Sequence, residues 1–177
     1  GWRWLPTGPT EPASLVWVEA LDQGNPKNSV PARDQLLSAS APFTRQPAKL
    51  AKTEWRYGGL SFTEKSVLFV TESDRASRRM RIWIVNPQTG GMMKWQERNS
   101  QDRYADPGTP MMRPGKGTIM QVGDSVYLAG AGASPQGDRP FLDRFNLKTR
   151  PPSASFRPTR RATKPCRRCC QTMGSSC

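Results

Sequence analysis

The chain has 177 residues, including 17 Pro and 15 Gly, and a formal net charge of +13. That length gives room for one ordinary domain or for part of a larger one, and no apolar run approaches the roughly 20 residues of a membrane-spanning helix. The basic excess suggests a nucleic-acid partner until it is located. Residues 150–177 carry seven Lys and Arg and no acid, which leaves +6 on residues 1–149, where all 14 acids are mixed with bases.

The N-terminus has no basic-then-apolar leader. It opens with Gly1-Trp2-Arg3-Trp4 and no initiator Met, so further residues are expected ahead of it. Leu15-Val16-Trp17-Val18 reads as a strand, followed by a loop of Gly, Asn and Pro and a second strand containing Arg33, Leu36 and Leu37. Residues 42–47 form a turn and 48–54 an outer strand. Short runs of Val, Ile, Leu and aromatic residues between polar turns are strands before they are helices.

The clearest unit is residues 55–87. Gly58-Gly59 breaks the chain, Leu60 and Phe62 alternate with polar neighbours, and 66–71 is an apolar run of β-formers. A charged loop, 72–79, precedes 80–85, where Met80, Ile82 and Ile84 share a face; the turn 86–91 leads to a fourth strand at 92–97. An antiparallel meander of this size matches one propeller blade. Residues 98–114, polar and Pro-rich, read as a crossing between blades. Residues 118–122 read as an inner strand, Gly123-Asp124 as a turn, 126–129 as the next strand, and 141–147 as the last.

Repetition supports this reading. Arg33/Leu36, Arg79/Ile82 and Arg139/Leu142 each place a base three residues before an apolar residue, and the aromatic centres Trp17, Phe69 and Tyr127 recur at blade-like spacing. The expected fold is all-β: a partial β-propeller of about three blades of antiparallel meander over residues 1–149. Residues 150–177, with four prolines, no acid and no alternation, are expected to form a disordered basic tail, the abrupt change suggesting a truncation or frameshift near Thr149.

Chemistry is sparse. The chain has no histidine, which removes Ser-His-Asp and Cys-His catalysis and imidazole acid–base work. Gly115-Lys116-Gly117-Thr118 lacks the earlier glycine and the Ser or Thr after Lys of a phosphate loop, and reads as a turn. The glycines between 130 and 137 follow a strand but no helix pattern follows them, so a dinucleotide site is not expected. Cys166, Cys169, Cys170 and Cys177 all lie in the tail at spacings that match no zinc ribbon or finger. No catalytic residue, cofactor or metal is expected. The side chains free to meet a partner are the loop group Arg75, Arg78 and Arg79 and the loop pair Arg103 and Tyr104. Trp17 and Trp83 read as core or inter-blade packing, Trp55 and Trp95 as aromatics sealing neighbouring blades.

The strings LVWVEALDQGNPKNSVPARDQLL, KTEWRYGGLSF, RRMRIWIVNP, QDRYADPGTPMMR and GASPQGDRPFLDRFNLKT, in that order, resemble the N-terminal β-propeller of glutamyl endopeptidase-type serine peptidases of the prolyl oligopeptidase family. The resemblance covers roughly residues 2–149. It implies a parent enzyme that cleaves after Glu, with an α/β-hydrolase domain following the propeller and the propeller restricting entry. None of that triad can be placed on this chain. The partners it implies are a peptide substrate and the hydrolase domain, with no specific nucleic acid and no membrane. The location it implies is the chloroplast stroma for a plant protein, or otherwise a bacterial cytoplasm or periplasm. The competing readings are a free-standing propeller-like module that binds peptide or protein, and a nucleic-acid-associated protein acting through the tail.

Overall fold

The computed structural model describes residues 3–5 and 13–149; the segment 150–177 and its cysteines lie outside the described residues. The described chain is all-β. β1 (Arg3–Leu5), β2 (Ser14–Ala20), β3 (Asp34–Ser40) and β4 (Ala48–Thr53) form one antiparallel sheet in chain order. β5 (Arg56–Phe62), β6 (Leu68–Asp74), β7 (Arg79–Asn86) and β8 (Gly91–Asn99) form the second. In the third, β10 (Gln121–Val122), β11 (Ser125–Gly130) and β12 (Phe141–Asn146) follow in order, and β9 (Thr109–Pro110) pairs with β11 beyond the end of β10.

These are three consecutive meanders packed face to face, the arrangement of successive blades in a partial propeller. The packing follows from strand parity, since successive side chains point to opposite faces. In β6, Leu68 and Val70 join Val16, Leu36, Leu50, Leu60, Phe62 and Val85 in one core between the first and second sheets. Phe69, one residue out of step, joins Ile84, Ile119, Val126, Leu128 and Phe145 in another between the second and third. Leu68, Val70 and Val85 are completely enclosed, and each such side chain contributes about 1.5–3 kcal/mol. The second sheet is thus apolar on both faces.

Trp95 seals the second junction. It lies two residues after Met93 on the same face of β8, beside the bulge opposite Ile82 and Trp83. Its ring meets Phe69 edge-on at 5.5 Å and Phe145 at 5.5 Å with a tilt of 47°.

The first junction adds an ionic network around the short crossing from β4 to β5. Asp34 Oδ2 accepts the Tyr57 N–H at 2.6 Å and its Oδ1 the Arg56 Nη1 at 2.6 Å. Asp22, buried, accepts from Arg33 at 2.9 Å and the Gly24 N–H at 2.9 Å, and pairs with Arg56. From the second sheet, the buried Glu72 accepts the Trp55 N–H and Trp83 Nε1, both at 2.8 Å. Arg81 reaches Glu54 at 2.7 Å and Glu97 at 2.8 Å while lying 3.7 Å over the Trp55 ring. Acids from both sheets therefore hold alternate backbone N–H groups of the crossing, which would otherwise be poorly satisfied.

Several expectations are refined. The Gly58-Gly59 pair lies inside β5, where the register shifts, rather than before it. The expected inner strand at 118–122 is reduced to β10, and β9 falls inside the expected crossing 98–114. β1 carries no signal in the apolar pattern. Leu36 and Ile82 face the following sheet in the two cores, and Leu142 lies on the corresponding face of the third sheet, where it is 59% exposed. Trp17 breaks the aromatic series. It sits one residue out of step with Val16, faces away from the second sheet and donates Nε1 to Glu19; a one-residue slip reverses the face of a strand residue.

Two outcomes follow. Trp95→Ala is expected to destabilise the chain by about 3 kcal/mol or more in urea unfolding, and Trp17→Ala by clearly less, since it leaves both cores intact. Burial alone would raise the Asp22 carboxyl, but hydrogen bonds from Arg56, Gly24 and Arg33 outweigh it and hold it below its ordinary value. Lys94, against burial and with Arg81, does the same for Glu97. Carboxyls lowered in the folded state contribute fully above their unfolded values and lose that contribution as pH falls through the folded ones. The urea midpoint should stay level on this account down to about pH 4 and fall below it. Asp22→Asn should flatten that acid limb.

Candidate functional site

In an antiparallel meander the loop after the second strand and the exit of the fourth lie at the same end of the sheet. The loops 21–33, 75–78 and 131–140 and the crossings 54–55 and 100–108 therefore share one rim. The rim gathers the side chains singled out in the sequence, from two loops separated by the whole of the β7–β8 hairpin. Residue 78 is the bridge between them: Ser100 donates its N–H to the Arg78 carbonyl at 2.8 Å, and Arg78 Nη1 donates to Gln101 Oε1 at 2.7 Å. Arg78 has φ +56°, a left-handed conformation that costs a non-Gly residue roughly 1 kcal/mol.

Arg75 is exposed in the turn 75–78. Asp74 fixes that turn by accepting from the Ser77 hydroxyl at 2.5 Å and the Ser77 N–H at 3.1 Å, and these bonds lower its pKa. Arg79 differs from its neighbours. It opens β7 and pairs with Glu97 at 2.5 Å, so it is a cross-strand partner more than a free contact.

Arg103 and Tyr104 stand at the edge of a shallow cleft of about 180 Å³ lined by residues 101–104, Ala133, Ser134 and Asp138. Asp102 Oδ1 accepts the N–H groups of Tyr104 and Ala105 at 3.0 and 3.1 Å. This turn leaves Tyr104 70% exposed. Arg103 reaches across to Asp138 at 3.3 Å, a solvated pair worth at most about 1 kcal/mol. The far wall depends on glycine: at Gly132 a Cβ would lie 1.9 Å from the Arg139 carbonyl oxygen, which is why this glycine-rich loop needs no phosphate to explain it.

Exposed arginines and a tyrosine are the residue types enriched at recognition surfaces. Ser134, the one hydroxyl in the cleft besides Tyr104, donates to the Gly137 carbonyl at 2.7 Å within its own turn. Among the described residues no three acidic or Cys side chains cluster as metal ligands, and no helix is long and apolar enough to cross a membrane. Sequence reasoning missed Gln101, Ser134 and Asp138. Asp102 and Asp138, as turn formers beside Arg103 and Arg139, were the available signal.

No family model and no solved structure matches the chain. It is 37% identical over 153 residues to a probable chloroplastic glutamyl endopeptidase of Oryza sativa, the match covering 80% of this chain. It is 36% identical over 149 residues to the probable chloroplastic glutamyl endopeptidase of Arabidopsis thaliana, covering 77% of this chain. Through most of its length the chain is therefore homologous to one region of glutamyl endopeptidases, of which it spans 16%.

Proposed function

We propose that this chain is a non-catalytic, propeller-type region of a glutamyl endopeptidase of the prolyl oligopeptidase family, and that it governs which polypeptides reach the catalytic centre. The observation that carries the reading is the 36–37% identity to one region of two plant proteins of that name. The stacked meanders suit a cover, and a sequence with no histidine offers no histidine-dependent triad on these residues, which supports catalysis by another domain. Both relatives are named chloroplastic, which favours a plastid for a plant source of this chain. Its partners on this reading are a peptide substrate and an α/β-hydrolase domain.

The rim is the surface proposed to meet peptide. Arg75, Arg78, Arg103 and Tyr104 are its contact residues. Arg79 acts with them by fixing the start of β7 through Glu97. Electrostatic attraction of acidic segments by exposed arginines acts mainly on encounter and is screened by salt.

Incubated with a Glu-containing reporter peptide, the chain alone should give no turnover, and measurable hydrolysis would overturn the reading. In a complete relative, charge reversal at the positions of Arg75 and Arg103 should lower kcat/KM for that reporter by about fivefold at low salt, with less effect at high salt. Unchanged kinetics would remove the rim from substrate recognition.

A further inference from the structure

The first strand of the third sheet is interrupted in a way that a plain strand does not require. Pro110 pairs with Leu128 and Gln121 with Val126, so two steps of register along β11 are matched by eleven steps of chain. The nine surplus residues form a small hairpin of their own within 111–120. Met120 donates its N–H to the Met111 carbonyl at 2.8 Å, Arg113 to that of Thr118 at 2.7 Å, and Met112 and Ile119 form an antiparallel bridge. The tip is exposed, with Gly115 at φ +74° and Gly117 at φ +64°. This is the stretch in which Gly115-Lys116-Gly117 superficially suggests a phosphate loop.

The hairpin crosses to the second sheet by two attachments of different kinds. Ile119 is 1% exposed within the second core, and its N–H donates to the Phe62 carbonyl at 2.8 Å beside a parallel bridge to Thr63. Nearer the tip, Arg113 forms a two-pronged ion pair with Glu64, at 2.5 and 2.9 Å, in which both side chains are partly solvated. The Glu64 carboxyl is held below its ordinary value, first by the bond from Arg113. The base is fixed by burial, whereas the tip is held by one partly solvated ion pair.

We propose that residues 111–120 are a flap on the inner edge of the sheet stack, hinged at Ile119 and latched by Arg113 to Glu64. Latched, the flap lies across the end of β5, where its own Ile119 N–H bonds the Phe62 carbonyl. Released, its tip leaves Glu64 while Ile119 stays on Phe62. Its exposed surface, Met112 and Lys116, suits an extended unfolded peptide, since methionine side chains adapt to many shapes. This role in admitting substrate rests on the peptidase reading, but the motion of the flap does not.

Two readouts on this chain test it. Hydrogen exchange follows the amides of Arg113, Lys116 and Ile119, with those of β6 as reference. Limited trypsin digestion follows the Lys116–Gly117 bond, because Pro114 protects the bond after Arg113. Glu64→Gln should raise exchange at Arg113 and Lys116, and cleavage at Lys116, by about fivefold, with Ile119 and β6 unchanged. The exchanged pair Glu64→Arg with Arg113→Glu should restore both. Unchanged cleavage and exchange, an Ile119 amide that opens in step with the tip, or a charge swap that restores nothing would each overturn the flap. None of those results would bear on kinship with the peptidases.

Discussion

The structure depends on one constraint: the second sheet must be covered on both faces at once. Leu68 and Val70 are committed to the first sheet and Phe69 to the third, and pleating allows no intermediate arrangement. A strand buried on both faces reads as a continuous apolar run, which is what the segment around residues 66–71 is. The neighbouring sheets are held by this one, since neither core contains side chains from both the first and the third.

The charged groups make the apolar stack specific in register. Glu72 continues the parity of Leu68 and Val70 and is wholly buried, so its carboxylate is usable only because Trp55, Trp83 and Arg81 converge on it. A buried acid without partners would be strongly unfavourable. Asp22 and Asp34 play the same part from the first sheet through Arg56, and the crossing 54–57 is pinned between them. Because that crossing fixes where β5 starts, it also fixes which loops arrive at the rim. The position of the rim residues is thus a consequence of packing one layer below them.

Much of this was legible in the sequence, and the limits have physical causes. All four strands of the second sheet were readable because each is at least seven residues long and patterned by its burial. β1 and β9 have three and two residues, too few for any periodicity to register, and β10 was readable only as the end of a longer strand at 118–122. The aromatic spacing that grouped Trp17 with Phe69 and Tyr127 followed residue type, whereas packing follows parity, and Val16 is the residue that faces the core. Of the rim residues, Arg75, Arg103 and Tyr104 were readable as exposed loop residues. Arg79 was not, because its partner Glu97 lies on the far side of a bulged hairpin. Nor was the joining of the two loop groups through Arg78 and Gln101, since such long-range pairing leaves no local trace.

The most direct test of the central claim, that β6 serves two neighbours by parity, is a set of side-chain nuclear Overhauser contacts from Phe69 and Val70. The account predicts that Val70 methyls meet Val16 and Leu36 of the first sheet while the Phe69 ring meets Trp95 and residues of the third sheet such as Phe145. If both residues contact the same neighbouring sheet, or neither contacts one, the face-to-face stack is wrong and the rim built upon it has no basis.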